Sequence, residues 1–310
     1  MSEAALVVDQ VTKSYGDFNA VNNVSLSVNK GEAIALLGHN GAGKTTLFKL
    51  AQGLIKPTSG TVSITCKKSD IGYLPENISF YDQMSAEETL VYYARLKNAP
   101  LKQVNGILEL VGLAPFQKRR IRTYSKGMRQ RLGFAQALLG NPSLLFLDEP
   151  TGGLDPVGRE ELFEIINKLI CQGTSVVFSS HVLRELENKV EKIAIMHSGN
   201  LIANDTLDNL RRQSNMPSHI NLKISDKAQM ANWEIYLSSF ADSGTKILNK
   251  SNDTFYISCS DKVKKAFILY ITACDLSFED IDVLPLSLAD IYIKMCQDQN
   301  SEQSTQKIAV

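Results

Sequence analysis

One stretch of eight residues constrains the fold of this chain more than any other. It reads Gly38-His39-Asn40-Gly41-Ala42-Gly43-Lys44-Thr45 and fits the pattern G-x-x-x-x-G-K-[ST]. The apolar run 33–37 before it is typical of a buried parallel strand, and leucines at helical spacing follow it. A glycine-rich loop between a strand and a helix N-terminus lets backbone N–H groups surround an anion. The sequence therefore predicts a loop that binds the phosphates of a nucleotide, and Thr46, directly after it, is included among the predicted nucleotide-binding residues.

Acidic residues follow a second strand that should end at the same edge of the sheet. The run Leu144–Leu147 is wholly apolar, and Asp148 and Glu149 come directly after it. Ligands of open α/β sheets bind beyond the carboxyl ends of the strands. We therefore expect Asp148, together with Thr45, to organise Mg²⁺, and Glu149 to orient or deprotonate a water molecule. His181 follows the next buried strand, 174–180, and is predicted to face the phosphates.

Two further residues have an ordinary interpretation beside the functional one. Glu76 follows a short strand and Pro75, so it can reach Mg²⁺ or the attacking water, or it can be a solvated acid in a turn. Tyr15 lies upstream of the loop and can stack on a nucleobase, or it can be an aromatic residue at the end of a strand.

Composition narrows the class of protein. The chain has 310 residues, with 33 Lys and Arg against 33 Asp and Glu, which argues against a strongly basic nucleic-acid binder. Its five cysteines are widely spaced and form no C-x-x-C motif, as expected in a reducing compartment. No stretch resembles a secretion signal, and no apolar run approaches the roughly 20 residues that span a bilayer. We expect a cytoplasmic protein that reaches a membrane only through a partner.

The order of predicted elements indicates an α/β protein with two domains. Residues 1–213 alternate strands and helices, except for a helical insertion at about 77–140 that begins with a capping box at Ser85. A linker at 214–218 precedes residues 218–296, whose order β-α-β-β-α-β predicts a small ferredoxin-like domain for dimerisation or docking. Residues 297–310 are polar and are predicted to be disordered.

Taken together, these motifs resemble the ATP-binding subunits of ABC transporters over residues 1 to about 212. Tyr15 is similar to the family's base-stacking aromatic, Gly38–Thr45 to Walker A, Leu144–Glu149 to Walker B and His181 to the switch histidine. The resemblance implies a P-loop NTPase fold with a mixed sheet, ATP and Mg²⁺ as ligands, a head-to-tail homodimer, and membrane permease subunits as partners. It also implies that the partner's signature and D-loop touch ATP, through residues that correspond to Ser125, Lys126, Gly127, Met128 and Asp155.

Departures from the family pattern narrow the resemblance. The family usually has Gln where this chain has Glu76, and Leu-Ser-Gly-Gly-Gln where it has Tyr124–Met128. The segments 72–77, 94–97, 124–133 and 285–292 resemble the ATPase subunits of the Nos transporters, which serve the maturation of nitrous oxide reductase. That group implies cargo related to copper or sulfur and a periplasmic accessory protein.

Three alternatives remain beside this interpretation. The chain can be the ATPase of another exporter, for example of a drug, lipid or polysaccharide. A soluble ABC protein acting on ribosomes or DNA is disfavoured because the chain has a single Walker A motif and no long coiled-coil insertion. A regulatory module that does not hydrolyse ATP is disfavoured by the intact pair Asp148 and Glu149.

Overall fold

The computed structural model describes residues 3–180, 182, 183, 186, 187, 189–240 and 244–308, with 300–308 described by their backbone alone. The chain divides into two compact units, Met1–Thr206 and Leu207–Val310. No helix in these ranges is long and apolar enough to cross a membrane. The five cysteines are free thiols.

The first unit opens with a three-stranded antiparallel sheet of order β2-β1-β4. Its strands are β1 (Ala4–Tyr15), β2 (Phe18–Asn29) and β4 (Ser59–Ile64). In the sequence, only the segments 6–8 and 24–28 of the first two strands show an apolar run or a β-type alternation. The observed strands extend beyond these segments. Register shifts interrupt the alternation there, and Gln10 takes a left-handed φ of 47° at one of them, so the sequence pattern does not show the full length. Val11 and Val21 lie beside these register shifts and are fully buried.

A six-stranded sheet forms the centre of the first unit. It contains β3 (Ala33–Leu37), β5 (Ile71–Leu74), β6 (Leu144–Leu147), β7 (Ser175–Ser180), β8 (Lys192–His197) and β9 (Asn200–Thr206). The order is β5-β6-β7-β3-β8-β9; the first five strands are parallel, and β9 pairs antiparallel with β8. The prediction of a mixed α/β sheet is thus confirmed. Since β6, β7 and β3 are adjacent and parallel, the residues that follow them lie at one edge.

Helices surround this sheet and form the predicted insertion. They are α1 (Lys44–Ala51), α2 (Ala86–Lys97), α3 (Gln103–Leu110), α4 (Lys126–Leu138) and α5 (Pro156–Cys171). The three helices α2, α3 and α4 lie between β5 and β6 in the chain. The predicted capping box is present at the start of α2: the Ser85 Oγ accepts from the Glu88 N–H at 3.2 Å, and the Glu88 carboxylate accepts from the Ser85 N–H at 2.7 Å.

The second unit contains a four-stranded antiparallel sheet of order β11-β12-β10-β13. Its elements are β10 (Ser218–Lys223), α7 (Met230–Ser238), β11 (Thr245–Lys250), β12 (Thr254–Cys259), α8 (Asp261–Thr272) and β13 (Asp280–Leu284). Trp233, Phe255 and Phe267 are fully buried in its core. The element order and the antiparallel pairing confirm the predicted ferredoxin-like arrangement.

Two more helices of the second unit differ from the sequence prediction. The helix α6 (Leu207–Gln213) was assigned to the first domain, but it belongs to the second unit, where the Arg211 Nε donates to the Leu286 carbonyl at 3.0 Å. The last helix, α9 (Leu288–Ile308), extends through residues predicted to be disordered. Gln, Glu and Lys continue a helix well even where they provide no apolar face.

Candidate functional site

The glycine-rich loop between β3 and α1 has the geometry that its sequence predicts. Gly43 is the N-cap of α1 and has a left-handed φ of 104°. A Cβ at this position would collide with the carbonyl oxygen of Ala20, and one at Gly38 would lie 2.7 Å from the carbonyl oxygen of Met196. Glycine is therefore required at both positions, because the loop passes directly over neighbouring backbone.

Lys44 points back into this loop. Its side chain is 93 % buried, and the Nζ donates to the carbonyls of Gly38 and His39, the latter at 3.3 Å. Burial lowers the pKa of Lys44, while the carboxylates of Glu149, Asp148 and Glu76 act in the opposite direction. The ammonium group thus lies between the loop and an acidic cluster.

The loop forms one wall of an open cleft with about 970 Å³ of empty space. The other walls come from the first sheet and from the residues after β5 and β6. The lining residues are Phe18, Ala20, His39, Asn40, Gly41, Ala42, Gly43, Lys44, Thr45, Thr46, Glu76, Asp148 and Glu149. The structure therefore brings the loop together with all three acids that the sequence singled out.

Asp148 connects the loop to the central sheet. It is 1 % exposed, and its two carboxylate oxygens have different donors. The Thr45 Oγ1 donates to Oδ2 at 3.2 Å, and the Ser179 Oγ donates to Oδ1 at 2.6 Å. Sequence reasoning missed Ser179; the only signal was a serine near the carboxyl end of a buried strand, the end at which the acids of the site were predicted. These bonds fix the carboxylate beside the hydroxyl of Thr45.

The donor set near Asp148 suits a hard divalent cation. The described residues hold no group of three or more His, Cys, Asp or Glu placed to bind a metal. A cation here would therefore take the Thr45 hydroxyl, the Asp148 carboxylate and Glu76, and complete its shell with water and ligand oxygens. Mg²⁺ binds in this manner, through one or two carboxylates and substrate phosphates, so these residues fit it.

Glu149 stands next to Asp148 in a strained backbone conformation. Its φ is 51°, and its side chain is 91 % buried at the cleft wall. The Glu149 N–H donates to the Ser179 Oγ at 2.9 Å, so one serine contacts both acids. The nearby Tyr73 also senses this environment. Its burial, and then the negative charges of Asp148 and Glu76, raise the pKa of Tyr73 to about 12.

The aromatic residue at the cleft differs from the predicted one. Tyr15 and Phe18 are partners across the turn between β1 and β2. Phe18 lines the cleft, whereas Tyr15 does not and is 54 % exposed, with the Lys13 Nζ 5.2 Å from the centre of its ring. Sequence spacing could not decide between two aromatic residues of one hairpin. His181 lies outside the described residues, so its phosphate-facing role stays a prediction.

The signature and D-loop residues form a separate surface. Ser125 caps α4 by accepting from the Met128 N–H at 3.2 Å, and Asp155 caps α5 by accepting from the Gly158 N–H at 3.0 Å. The stem of Lys126 crosses Gly153, where an added Cβ would lie 2.7 Å from the lysine Cγ. A Cβ at Gly127 would lie 2.9 Å from the Gly153 carbonyl oxygen. None of the predicted trans residues, 125–128 and 155, lines the cleft of its own chain.

Comparisons with known proteins agree with this geometry. The family model described as ABC transporter matches residues 21–152. The uncharacterized ABC transporter ATP-binding protein YxlF of Bacillus subtilis is 43 % identical over 216 residues, which cover 67 % of this chain and 73 % of YxlF. YcbN of the same organism, also an uncharacterized ABC transporter ATP-binding protein, is 33 % identical over 92 % of this chain and 94 % of its own length. The bacitracin transport ATP-binding protein BcrA of Bacillus licheniformis is 38 % identical over 70 % of this chain and 74 % of BcrA.

Solved structures extend the likeness to the fold. The structure of an ATP-binding subunit of an ABC transporter matches with a TM-score of 0.63 and 31 % identity, covering 67 % of this chain and 92 % of that one. The dimeric structure of MJ0796, a bacterial ABC transporter cassette, matches with a TM-score of 0.61 and 26 % identity, covering 65 % of this chain and 98 % of that one.

Proposed function

This chain belongs to the ABC transporter family as an ATP-hydrolysing subunit, and we propose that it works as a homodimer whose two ATP sites drive a membrane permease. The observation that carries the proposal is the convergence of Lys44, Thr45, Asp148 and Glu149 on one cleft. A loop for phosphates, a cation site and a carboxylate beside it are the parts that phosphoryl transfer to water requires.

Each group in the cleft has a chemical role in this proposal. The backbone N–H groups of residues 38–46 and the Lys44 ammonium hold the β- and γ-phosphates of ATP. Thr45, Asp148 and Glu76 would hold Mg²⁺, which when bound supplies positive charge to the phosphate oxygens. Glu149 orients the attacking water and accepts its proton, and ADP and phosphate leave. An aromatic residue of the first hairpin, Tyr15 or Phe18, stacks on the base. The resemblance to the family assigns His181, which lies outside the described residues, to the γ-phosphate.

The second copy of the chain completes each site. Ser125 and Gly127 lie at the N-terminus of α4, where free N–H groups favour an anion, yet they do not line the cleft of their own chain. A head-to-tail partner would bring residues 125–128 and Asp155 against the ATP that the first copy holds. The dimeric structure of the related cassette MJ0796 supports this arrangement. Binding of ATP then favours the closed dimer, and hydrolysis reopens it.

The cargo depends on the permease, and two candidates differ in what supports them. Residues 72–77 and 124–133 resemble the Nos group, which favours copper- or sulfur-related cargo and a periplasmic accessory protein. The identity to BcrA, a protein named for bacitracin transport, favours an exporter of another substrate. In both cases the ATPase would lie in the cytoplasm, on the inner face of the membrane. Two experiments separate these candidates: identification of the permease that co-purifies with the chain, and growth of a strain that lacks the chain, with bacitracin or without copper.

The variant Glu149→Gln tests the catalytic proposal. We expect it to bind ATP and accumulate as an ATP-bound dimer, with kcat lowered by about 10²-fold or more, because water loses its base while the phosphate loop is intact. Size-exclusion chromatography with ATP measures the dimer, and phosphate release measures hydrolysis. Near-normal turnover in this variant would remove Glu149 from its proposed role.

A further inference from the structure

The backbone of Glu149 has a conformation that its own sequence does not favour. A φ of 51° lies in the left-handed region, which side chains with a Cβ rarely adopt. Such a conformation persists only where the surroundings impose it. The Ser179 Oγ accepts from the Glu149 N–H at 2.9 Å, and the Glu149 carbonyl accepts from the Gly152 N–H at 3.1 Å. These two contacts come from the sheet and from the turn itself.

A third contact reaches Glu149 from the signature helix. Gln130 lies on α4 and is 94 % buried. Its Nε2 donates to the Glu149 carbonyl at 3.1 Å and to the Pro150 carbonyl at 3.0 Å. Carbonyl oxygens only accept hydrogen bonds, so the amide nitrogen and not the amide oxygen must face them. Within the described residues, the Pro150 carbonyl has no other donor.

We propose that Gln130 is a positioning residue for hydrolysis: its amide holds the turn 149–150 so that the Glu149 carboxylate keeps its place at the cleft. The inference rests on the proposed role of Glu149 as the base that activates water. It goes beyond that role because it makes the position of Glu149 depend on α4, the helix that begins at the signature residues. One rigid helix thus carries Lys126 in its first turn and the anchor of Glu149 one turn later.

The test compares two substitutions on the same helix. Gln130→Met keeps the size of the side chain and removes both donors. Gln136→Met is the matched control, because the Gln136 side chain makes no hydrogen bond within the described residues. We expect Gln130→Met to lower kcat about 10- to 100-fold, since a misplaced catalytic group costs rate in this range. The KM for ATP should change less than twofold, and the control should match wild type.

A second variant keeps the test decisive if Gln130→Met folds poorly. Gln130→Glu has the same shape, but its carboxylate cannot donate to carbonyls until it is protonated. Its kcat relative to wild type should rise as the pH falls from about 8 to 6, because burial raises the pKa of an acid. A structural defect alone would not give this profile. A ratio that does not change with pH overturns the proposal.

A double-mutant cycle with Glu149→Gln decides through which group Gln130 acts. If Gln130 works through the Glu149 carboxylate, Gln130→Met should leave the residual rate of Glu149→Gln unchanged. A further tenfold loss in that background overturns the proposal, and so does a wild-type kcat for Gln130→Met alone. Failure of the proposed function looks different: the wild-type chain would not hydrolyse ATP, or Glu149→Gln would hydrolyse it normally.

Discussion

Removal of the Ser179 hydroxyl should destabilise the site, because this one oxygen atom contacts both of its acidic residues, Asp148 and Glu149. The Ser179 Oγ is completely buried, donates to the Asp148 Oδ1 at 2.6 Å and accepts from the Glu149 N–H at 2.9 Å. Ser179→Ala deletes one oxygen, and with it a hydrogen bond to a carboxylate and the partner of a buried N–H. Each loss costs about 1–3 kcal/mol, so we expect β6 and β7 to be destabilised by about 3 kcal/mol.

The matched control is Ser175→Ala on the same strand. Ser175 is equally buried and lies at the opposite end of β7. In the part of the chain that the structure describes, its Oγ accepts one hydrogen bond, from the Gly31 N–H at 3.1 Å. We expect this variant to lose only about 1 kcal/mol and to keep its kcat. Ser179→Ala should also lower kcat about tenfold, because Asp148 and Glu149 lose their shared anchor; a factor of ten corresponds to about 1.4 kcal/mol in the barrier.

Hydrogen exchange measured by mass spectrometry on peptides of β6 and β7 gives the local free energy of opening, and phosphate release gives kcat. The reasoning is refuted if Ser179→Ala and Ser175→Ala show the same protection and the same turnover. That result would mean that Asp148 and Glu149 keep their positions without the hydroxyl between them.

Two other predictions follow from the same region. The pKa of Tyr73 is raised to about 12, so between pH 10 and 12 the unfolded chain loses this proton and the folded chain keeps it. The free energy of unfolding should therefore fall as the pH rises through this range, and denaturation of Tyr73→Phe should show a smaller slope; equal slopes would contradict it. Gly43→Ala should abolish ATP binding, measured by calorimetry, because the new Cβ collides with the Ala20 carbonyl and the left-handed φ becomes strained. Gly41→Ala is its control, because Gly41 also has a left-handed φ but no atom lies within 4 Å of the added Cβ. Tight ATP binding by Gly43→Ala would refute the steric argument.

Much of this site could be predicted from the sequence because the decisive signals are local. The spacing of the glycines and Lys44 specifies a loop between a strand and a helix, whatever the rest of the chain does. Four apolar residues followed by Asp148 and Glu149 indicate a buried strand with acids at its end. The rule that parallel strands present their carboxyl ends at one edge then places these groups together. The capping box at Ser85 located the start of the inserted helices in the same way.

Other features depended on contacts between residues far apart in the chain. The full length of β1 and β2 was not predicted because register shifts interrupt the alternation of apolar and polar residues. Phe18 lines the cleft and Tyr15 does not, because only one side of the hairpin faces the phosphate loop. The assignment of α6 to the second unit follows from packing that its own residues do not encode.

The sequence by itself determined which chemical groups the chain brings to phosphate: the loop, its lysine and threonine, and the two acids. Only the tertiary structure decided how those acids are held, by the hydroxyl of Ser179 from one neighbouring strand and the amide of Gln130 from a helix 19 residues upstream of Glu149. A serine in a strand and a glutamine on a helix are ordinary in any sequence. Their importance comes from burial, because a polar group removed from water must find its partner inside the protein, and the fold alone chooses that partner.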